Sequence, residues 1–180
     1  MKRVLIIVDM QNDFVGGLLG SDAAKAVIPR IQARIADFRA AKDQVVFTMD
    51  THRESDYTAG EWVEMQRIPP HCLKGTEGWK IVEELAAQPG ETVEKPAFLS
   101  LELPAVIGGG EESDLRIELC GVCTDICVVS NALYLRAKYP RAQIVVHADS
   151  CAGTSDQAHQ AALTVMRSCL IEVKGGEFDE

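Results

Sequence analysis

The chain is 180 residues long, 47% hydrophobic and 25% charged, an ordinary globular composition that forms a full apolar core without disulfide or metal staples. Eighteen Lys and Arg against 27 Asp and Glu leave a net charge of −9, which argues against a nucleic-acid or anionic-membrane partner, since both need a basic surface. The apolar start MKRVLIIV is interrupted at Asp9 before it reaches signal-peptide length, and no segment approaches the roughly 20 apolar residues of a membrane-spanning helix. Six cysteines in such a chain read as thiols, so the expectation is a single domain over residues 1–180 in the cytoplasm.

Val4 to Val8 opens the chain as a continuous apolar, β-branched strand. Ser21 can cap a helix over Asp22 to Lys42, and Val45 to Met49 reads as the second strand. Thr51 to Thr76 has no clear period, and a structureless stretch of that length is usually functional or tied down. Helical spacing returns over Gly78 to Gln88, stopped by Pro89-Gly90, before a weak strand at Glu91 to Val93. Gly108 to Glu112 reads as a surface turn, Leu115 to Cys120 as a buried strand, and Asp125 to Lys138 as a helix capped by Thr124 or Asp125. Ile144 to Val146, a helix from Ser155 to Ser168 capped by Ser155, a weak strand at Leu170 to Val173 and an acidic tail at 177–180 complete the chain. This alternation predicts an α/β class: a three-layer doubly wound fold with a mostly parallel six-stranded sheet and helices on both faces.

In such a sheet, ligands bind beyond the carboxyl ends of the strands, so strand-end residues matter most. Strand one ends at Asp9, strand two at Asp50 followed by His52, and strand four runs into GVCTDIC, which puts Cys127 in the first turn of a helix, where orphan N–H groups favour a thiolate. A thiol nucleophile needs a base, for which Asp9 is a candidate with Lys95 as its charge partner, and a backbone nest at Cys123 to Cys127 can supply oxyanion donors. Singly, each has a plainer reading: a turn Asp, a solvated Lys, a buried inert Cys. Asp50, His52, Glu64 and His71 form a second cluster, two imidazoles and one or two carboxylates that suit zinc, iron or manganese, and a bound metal would also order the 51–76 loop. Surface histidines in a polar loop are the plainer reading there. His147 and His159 read as structural, Cys120 and Cys169 as core thiols, and Trp62 and Trp79 as residues that line the pocket or pack elsewhere.

VDMQNDF, the Asp-x-His after strand two, PPHCLKGT, EKPAFLS and GVCTDICV, in that order, together resemble the isochorismatase-like cysteine hydrolases, and within them the nicotinamidases. The resemblance spans almost the whole chain. It implies that Asp9 is the general base, Lys95 the lysine paired with it and Cys127 the nucleophile. It also implies a non-proline cis peptide at Val122-Cys123, with the N–H groups of Cys123 and Cys127 forming the oxyanion hole. Asp50, His52 and His71 match the family's metal ligands, Glu64 stands where some members carry a fourth, and Phe14 and Phe98 match positions that wall a flat substrate ring. The implied reaction converts nicotinamide to nicotinic acid and ammonia through a cysteine thioester, with a divalent metal, foremost zinc, and no organic cofactor. Family members are often oligomers, so a homo-oligomer is expected too. The chain departs from the family at Cys123, where a small residue is usual, at Phe98, commonly Tyr, and at Ile68, often aromatic. Two other readings stand beside it: hydrolysis of another small amide, a carbamoyl compound or isochorismate with the same Asp9, Lys95 and Cys127, and a non-catalytic module that binds a ligand or senses oxidation through its thiols.

Overall fold

A computed structural model describes residues 1–58, 62–88, 90–108 and 112–176. Six strands, β1 (Lys2–Val8), β2 (Gln44–Asp50), β3 (Thr92–Lys95), β4 (Leu115–Val122), β5 (Gln143–Ala152) and β6 (Glu172–Lys174), form one sheet in the order β3-β2-β1-β4-β5-β6. Every ladder is parallel, so the sheet is wholly rather than mostly parallel. Seven α-helices are described: α1 (Asn12–Val15), α2 (Asp22–Ala26), α3 (Ile28–Ala40), α4 (Glu54–Thr58), α5 (Leu103–Ile107), α6 (Val129–Lys138) and α7 (Asp156–Ser168). The chain steps one way from β1 through β3 and the other way from β4 through β6, and right-handed crossovers then place α3 on one face and α6 and α7 on the other. Residues Val4 to Val8 are wholly buried, as expected of a central parallel strand covered on both faces.

The direction of strand order reverses between β1 and β4, and there the two strands approach unusually closely. Val8 pairs with Gly121, whose φ is +116°, and a Cβ at that position would lie 2.2 Å from the Val8 carbonyl oxygen. Only glycine meets both conditions. The next peptide, Val122–Cys123, is cis.

Several sequence expectations are corrected. Gly78 to Gln88 is not a helix: apart from a single 3₁₀ turn at Glu83–Leu85, its backbone lies against the segment after β1. Asn12 and Asp13 N–H groups bond to the carbonyls of Lys80 and Gly78, Val82 N–H bonds to Met10, and Gln11 bridges Ile81, so tertiary pairing overrides the local period. The helix over Asp22 to Lys42 is two helices broken at Val27, with Pro29 at the start of the second. Ser21 and Ser155 cap as expected, accepting from Ala24 and Ala158. Neither Thr124 nor Asp125 caps the following helix, because Cys123 occupies that position and Thr124–Val128 is a π-helical turn leading into α6. The loop 51–76 contains α4, and β5 runs on to Ala152, so His147 lies inside the strand. Cys169 is exposed at the end of α7 rather than a core thiol. Pro89, most of the Gly108 to Glu112 turn and the 177–180 tail lie outside the described residues. No described helix is long and apolar enough to cross a membrane.

Candidate active site

The strand order sets the site out in a row. Asp50 of β2 pairs in register with Lys95 of β3, Asp9 follows β1, and the π turn carrying Cys127 follows β4, so all four stand at the carboxyl edge of the sheet. Lys95 is 1% exposed, and its ammonium lies 2.7 Å from Asp9 Oδ2, 3.2 Å from Asp50 Oδ1 and 3.6 Å from Cys127 Sγ. It also donates to the Ala97 carbonyl at 3.0 Å.

Asp9 is fully buried. Its Oδ1 accepts from the Thr48 hydroxyl at 2.7 Å, while Oδ2 is ion-paired with the Lys95 ammonium at 2.7 Å. Thr48 anchors one oxygen and Lys95 the other, and the carboxylate keeps further lone pairs for a proton. Burial raises the Asp9 pKa above the usual carboxylate range and outweighs the lowering by Lys95. Cys127 is likewise held well above the ordinary thiol value, by burial first and by the Asp9 charge second, so it rests as a thiol. Burial pulls the Lys95 pKa down, but Asp9, Cys127 and Asp50 together outweigh it and keep the ammonium charged.

Beside this trio, Asp50 Oδ2 lies 2.9 Å from His52 Nε2 and 3.2 Å from His71 Nε2, and Glu64 Oε1 lies 3.7 Å from each of the same nitrogens. One donor atom from each of these four residues falls within 4.8 Å of the others. Backbone pairing creates the convergence: His52 N–H bonds to the Cys72 carbonyl and Lys74 N–H to the His52 carbonyl, which lays the 71–74 segment along His52. His71 Nδ1 is 2.8 Å from the Pro69 carbonyl, an acceptor for its ring proton that orients Nε2 toward the cluster. Two ring nitrogens and two carboxylate oxygens aimed at one point fit a divalent cation. Hydrogen bonds from the two histidines offset burial and hold Asp50 well below the usual carboxylate range, whereas burial, reinforced by Asp50, pushes Glu64 up.

A cavity of about 420 Å³ joins the two clusters. Asp50, Glu64, His71, Phe14, Phe98, Cys123 and Cys127 all line it, so every sequence candidate except Asp9, Lys95 and His52, which stand just behind, contributes to its wall. Phe14 leans on His71 with ring centres 5.5 Å apart. Trp62 instead lines a separate cleft and Trp79 packs near the Lys74 ammonium. His147 is a buried partner of Glu118, and His159 contacts the Thr124 hydroxyl at 2.8 Å.

The isochorismatase domain matches residues 3–177, nearly the entire chain. The chain belongs to the isochorismatase family. It is 30% identical over 191 residues to the nicotinamidase/pyrazinamidase of Mycobacterium tuberculosis, covering 95% of this chain and 97% of that one. The crystal structure of the nicotinamidase/pyrazinamidase of Bacillus subtilis superposes with a TM-score of 0.84 at 28% identity, covering 97% of this chain and all of that one. A pyrazinamidase of Pyrococcus horikoshii solved in complex with zinc gives 0.78 at 26% identity, covering 98% of this chain and 100% of that one. This isochorismatase-family chain is thus a hydrolase by family, with a donor set suited to a divalent metal.

Sequence reasoning missed the residues that hold the site. Gln11 is wholly buried and exchanges both amide bonds with the Asp50 backbone, donating to its carbonyl at 2.9 Å and accepting from its N–H at 2.7 Å. Asn131 accepts from Ser100 N–H and donates to the carbonyls of Phe98 and Cys127, which ties the 98–100 segment to the π turn. Tyr57 places its hydroxyl 3.2 Å from His71 Nδ1. Asn131 lies four residues after Cys127, one turn along a helix, and that spacing was available; nothing in the sequence marks Tyr57.

Proposed function

We propose that this isochorismatase-family chain is an amidohydrolase that converts nicotinamide to nicotinic acid and ammonia through a thioester on Cys127. The observation that carries the reading is Lys95 bridging Asp9 and Cys127, at 2.7 and 3.6 Å, behind a cavity that also holds four convergent metal-type donors. The names of similar proteins support the choice of amide.

The geometry supports a role for each residue. Phe14 and Phe98 flank the ring and turn its carboxamide carbon toward Cys127. The Asp9 carboxylate takes the thiol proton as sulfur attacks, which matches a carboxylate whose pKa is raised by burial and a thiol held neutral until substrate arrives. Lys95 stays charged and compensates the negative charge as it passes from Asp9 to the sulfur. N–H groups of Cys123 and Cys127, on the turn after β4, meet the oxyanion. Asp9 returns its proton to the departing ammonia, then takes one from the water that cleaves the thioester, and gives it back to the Cys127 sulfur. Asp50, His52, His71 and Glu64 would hold a divalent metal, foremost zinc, which supplies a Lewis-acid anchor for the ring nitrogen.

Ammonia release from nicotinamide by the zinc-supplied protein tests this directly. We expect turnover in the wild type and none in Cys127→Ala. Release that persists in Cys127→Ala removes the nucleophile, and a folded wild type that releases no ammonia rejects nicotinamide as substrate.

A further inference from the structure

The cavity extends beyond the residues assigned above. At about 420 Å³ it is a cavity for a substituted ligand rather than for one bare ring, and its outer wall carries Leu19, Ile68, Ile126 and Arg67. Among the described lining residues, Arg67 is the one permanently charged cation.

Two facts about Arg67 point the same way. First, its position is built by the metal-loop turn: Arg67 and Ile68 N–H groups both bond to the Glu64 carbonyl at 2.9 Å, so the turn that brings Glu64 to the donor cluster presents Arg67 to the same cavity three residues later. Second, its guanidinium has no partner among the described residues. Arg3, Arg34, Arg39 and Arg116 are held by carboxylates and Arg30 and Arg136 by backbone carbonyls, whereas among the described residues none bonds or pairs with the exposed side chain of Arg67, nor with that of Arg53, which stands away from this cavity. A guanidinium is a rigid fork of donors matched to a carboxylate, and left unpaired on a ligand cavity it is the complement of an anionic group on the ligand.

We infer that Arg67 is a specificity-determining residue and that the preferred substrate is an aromatic amide whose ring carries a second, acidic substituent. The inference rests on the hydrolase reading for the amide end of the ligand. Arg67 engages the acid, Cys127 faces the carboxamide, and Phe14 and Phe98 flank the ring between them.

The test uses two ligands of nearly equal size, the monoamide of dinicotinic acid, which carries one carboxylate and one carboxamide on a pyridine ring, and the corresponding diamide. Their affinities are measured by titration calorimetry on zinc-supplied Cys127→Ala protein, with and without Arg67→Gln. The acid is expected to bind about tenfold more tightly than the diamide at low salt, with the ratio falling to about one in Arg67→Gln and shrinking as salt is raised. Equal affinities, failure of both ligands to bind, or a preference that survives Arg67→Gln, as it would if the donor cluster's cation took the carboxylate, overturns the inference. Ammonia release from the monoamide and from nicotinamide by the wild type is followed in parallel. A preference that tracks Arg67 in a protein that releases no ammonia upholds the subsite and overturns the hydrolase reading alone.

Discussion

Asp9 has two opposed effects on Cys127, and they can be separated. Its carboxylate is the base that accepts the thiol proton, yet its charge beside the sulfur is a main reason, after burial, that the thiol pKa lies so high. Lys95 acts in the other direction and lowers it. Asp9→Asn keeps the shape and the contact to Thr48 while removing both the base and the charge. Turnover is therefore expected to fall by about 10²- to 10⁴-fold, the usual worth of a general base. The Cys127 pKa moves down in the same variant, because the Asp9 charge that raises it is gone while the Lys95 ammonium, still paired with Asp50, continues to lower it. Thiolate absorbance followed against pH, together with the rate of iodoacetamide alkylation, checks this. A variant that loses turnover with its thiol titration unmoved would show that Asp9 does not set the state of the sulfur.

At the level of elements, the π turn after β4 is fastened from outside by α7 and the loop before it. Asp125 Oδ1 accepts from Thr154 N–H at 2.8 Å and Oδ2 from the Thr154 hydroxyl at 2.5 Å, while the Thr124 hydroxyl meets His159. Gly153 fits between them, since a Cβ there would lie 2.9 Å from both Asp125 Oδ1 and His159 Cβ. Gly153 and Thr154 also line the cavity, so the contact that holds the turn also shapes the substrate wall. Asp125→Ala is expected to lower kcat/KM about tenfold and stability by about 1 kcal/mol, the ordinary scale of lost hydrogen bonds. Steady-state kinetics beside a thermal melt decide it: a lowered melting temperature with unchanged kinetics would make the contact purely structural. This device was only half legible in the sequence. The strands were, because Val4 to Val8 and Leu115 to Cys120 are apolar runs that leave little alternative to a buried parallel strand, and strand-end placement exposed Asp9, Asp50 and Cys127. Lys95 and the histidines became legible through their motifs. Gly78 to Gln88 misled because its apolar spacing serves contacts with the segment after β1 rather than a helix face. Thr48, Gln11 and Tyr57 stayed hidden because their roles depend on neighbours that only the fold brings near.

Across the whole molecule, a second buried charge cluster sits in the body of the sheet, away from the cavity lining. Glu118 of β4 is 4% exposed and accepts from Arg116 Nε at 2.8 Å, Arg3 Nη2 at 3.3 Å and His147 Nε2 of β5 at 2.5 Å. Burial alone would raise its pKa, but the bonds to His147 and Arg116 outweigh burial and bring it from 4.5 down to about 2. A carboxyl whose folded pKa is depressed contributes stability that is complete above its unfolded value and is lost as pH falls toward the folded one. Glu118 therefore stabilises the sheet fully at neutral pH, by about 3 kcal/mol relative to a carboxyl without partners, and gives that up between about pH 4.5 and pH 2. Other carboxylates in a chain with 27 acidic residues titrate over the same range, so the effect is read as a difference. Urea unfolding of the wild type and of Glu118→Gln at several pH values isolates it, because Gln keeps the shape but does not titrate. The stability gap between the two proteins should be widest at neutral pH and narrow steadily below pH 4.5. A gap that holds constant down to pH 3 would mean that the unfolded chain keeps Glu118 equally ionised and that the cluster adds nothing to acid sensitivity.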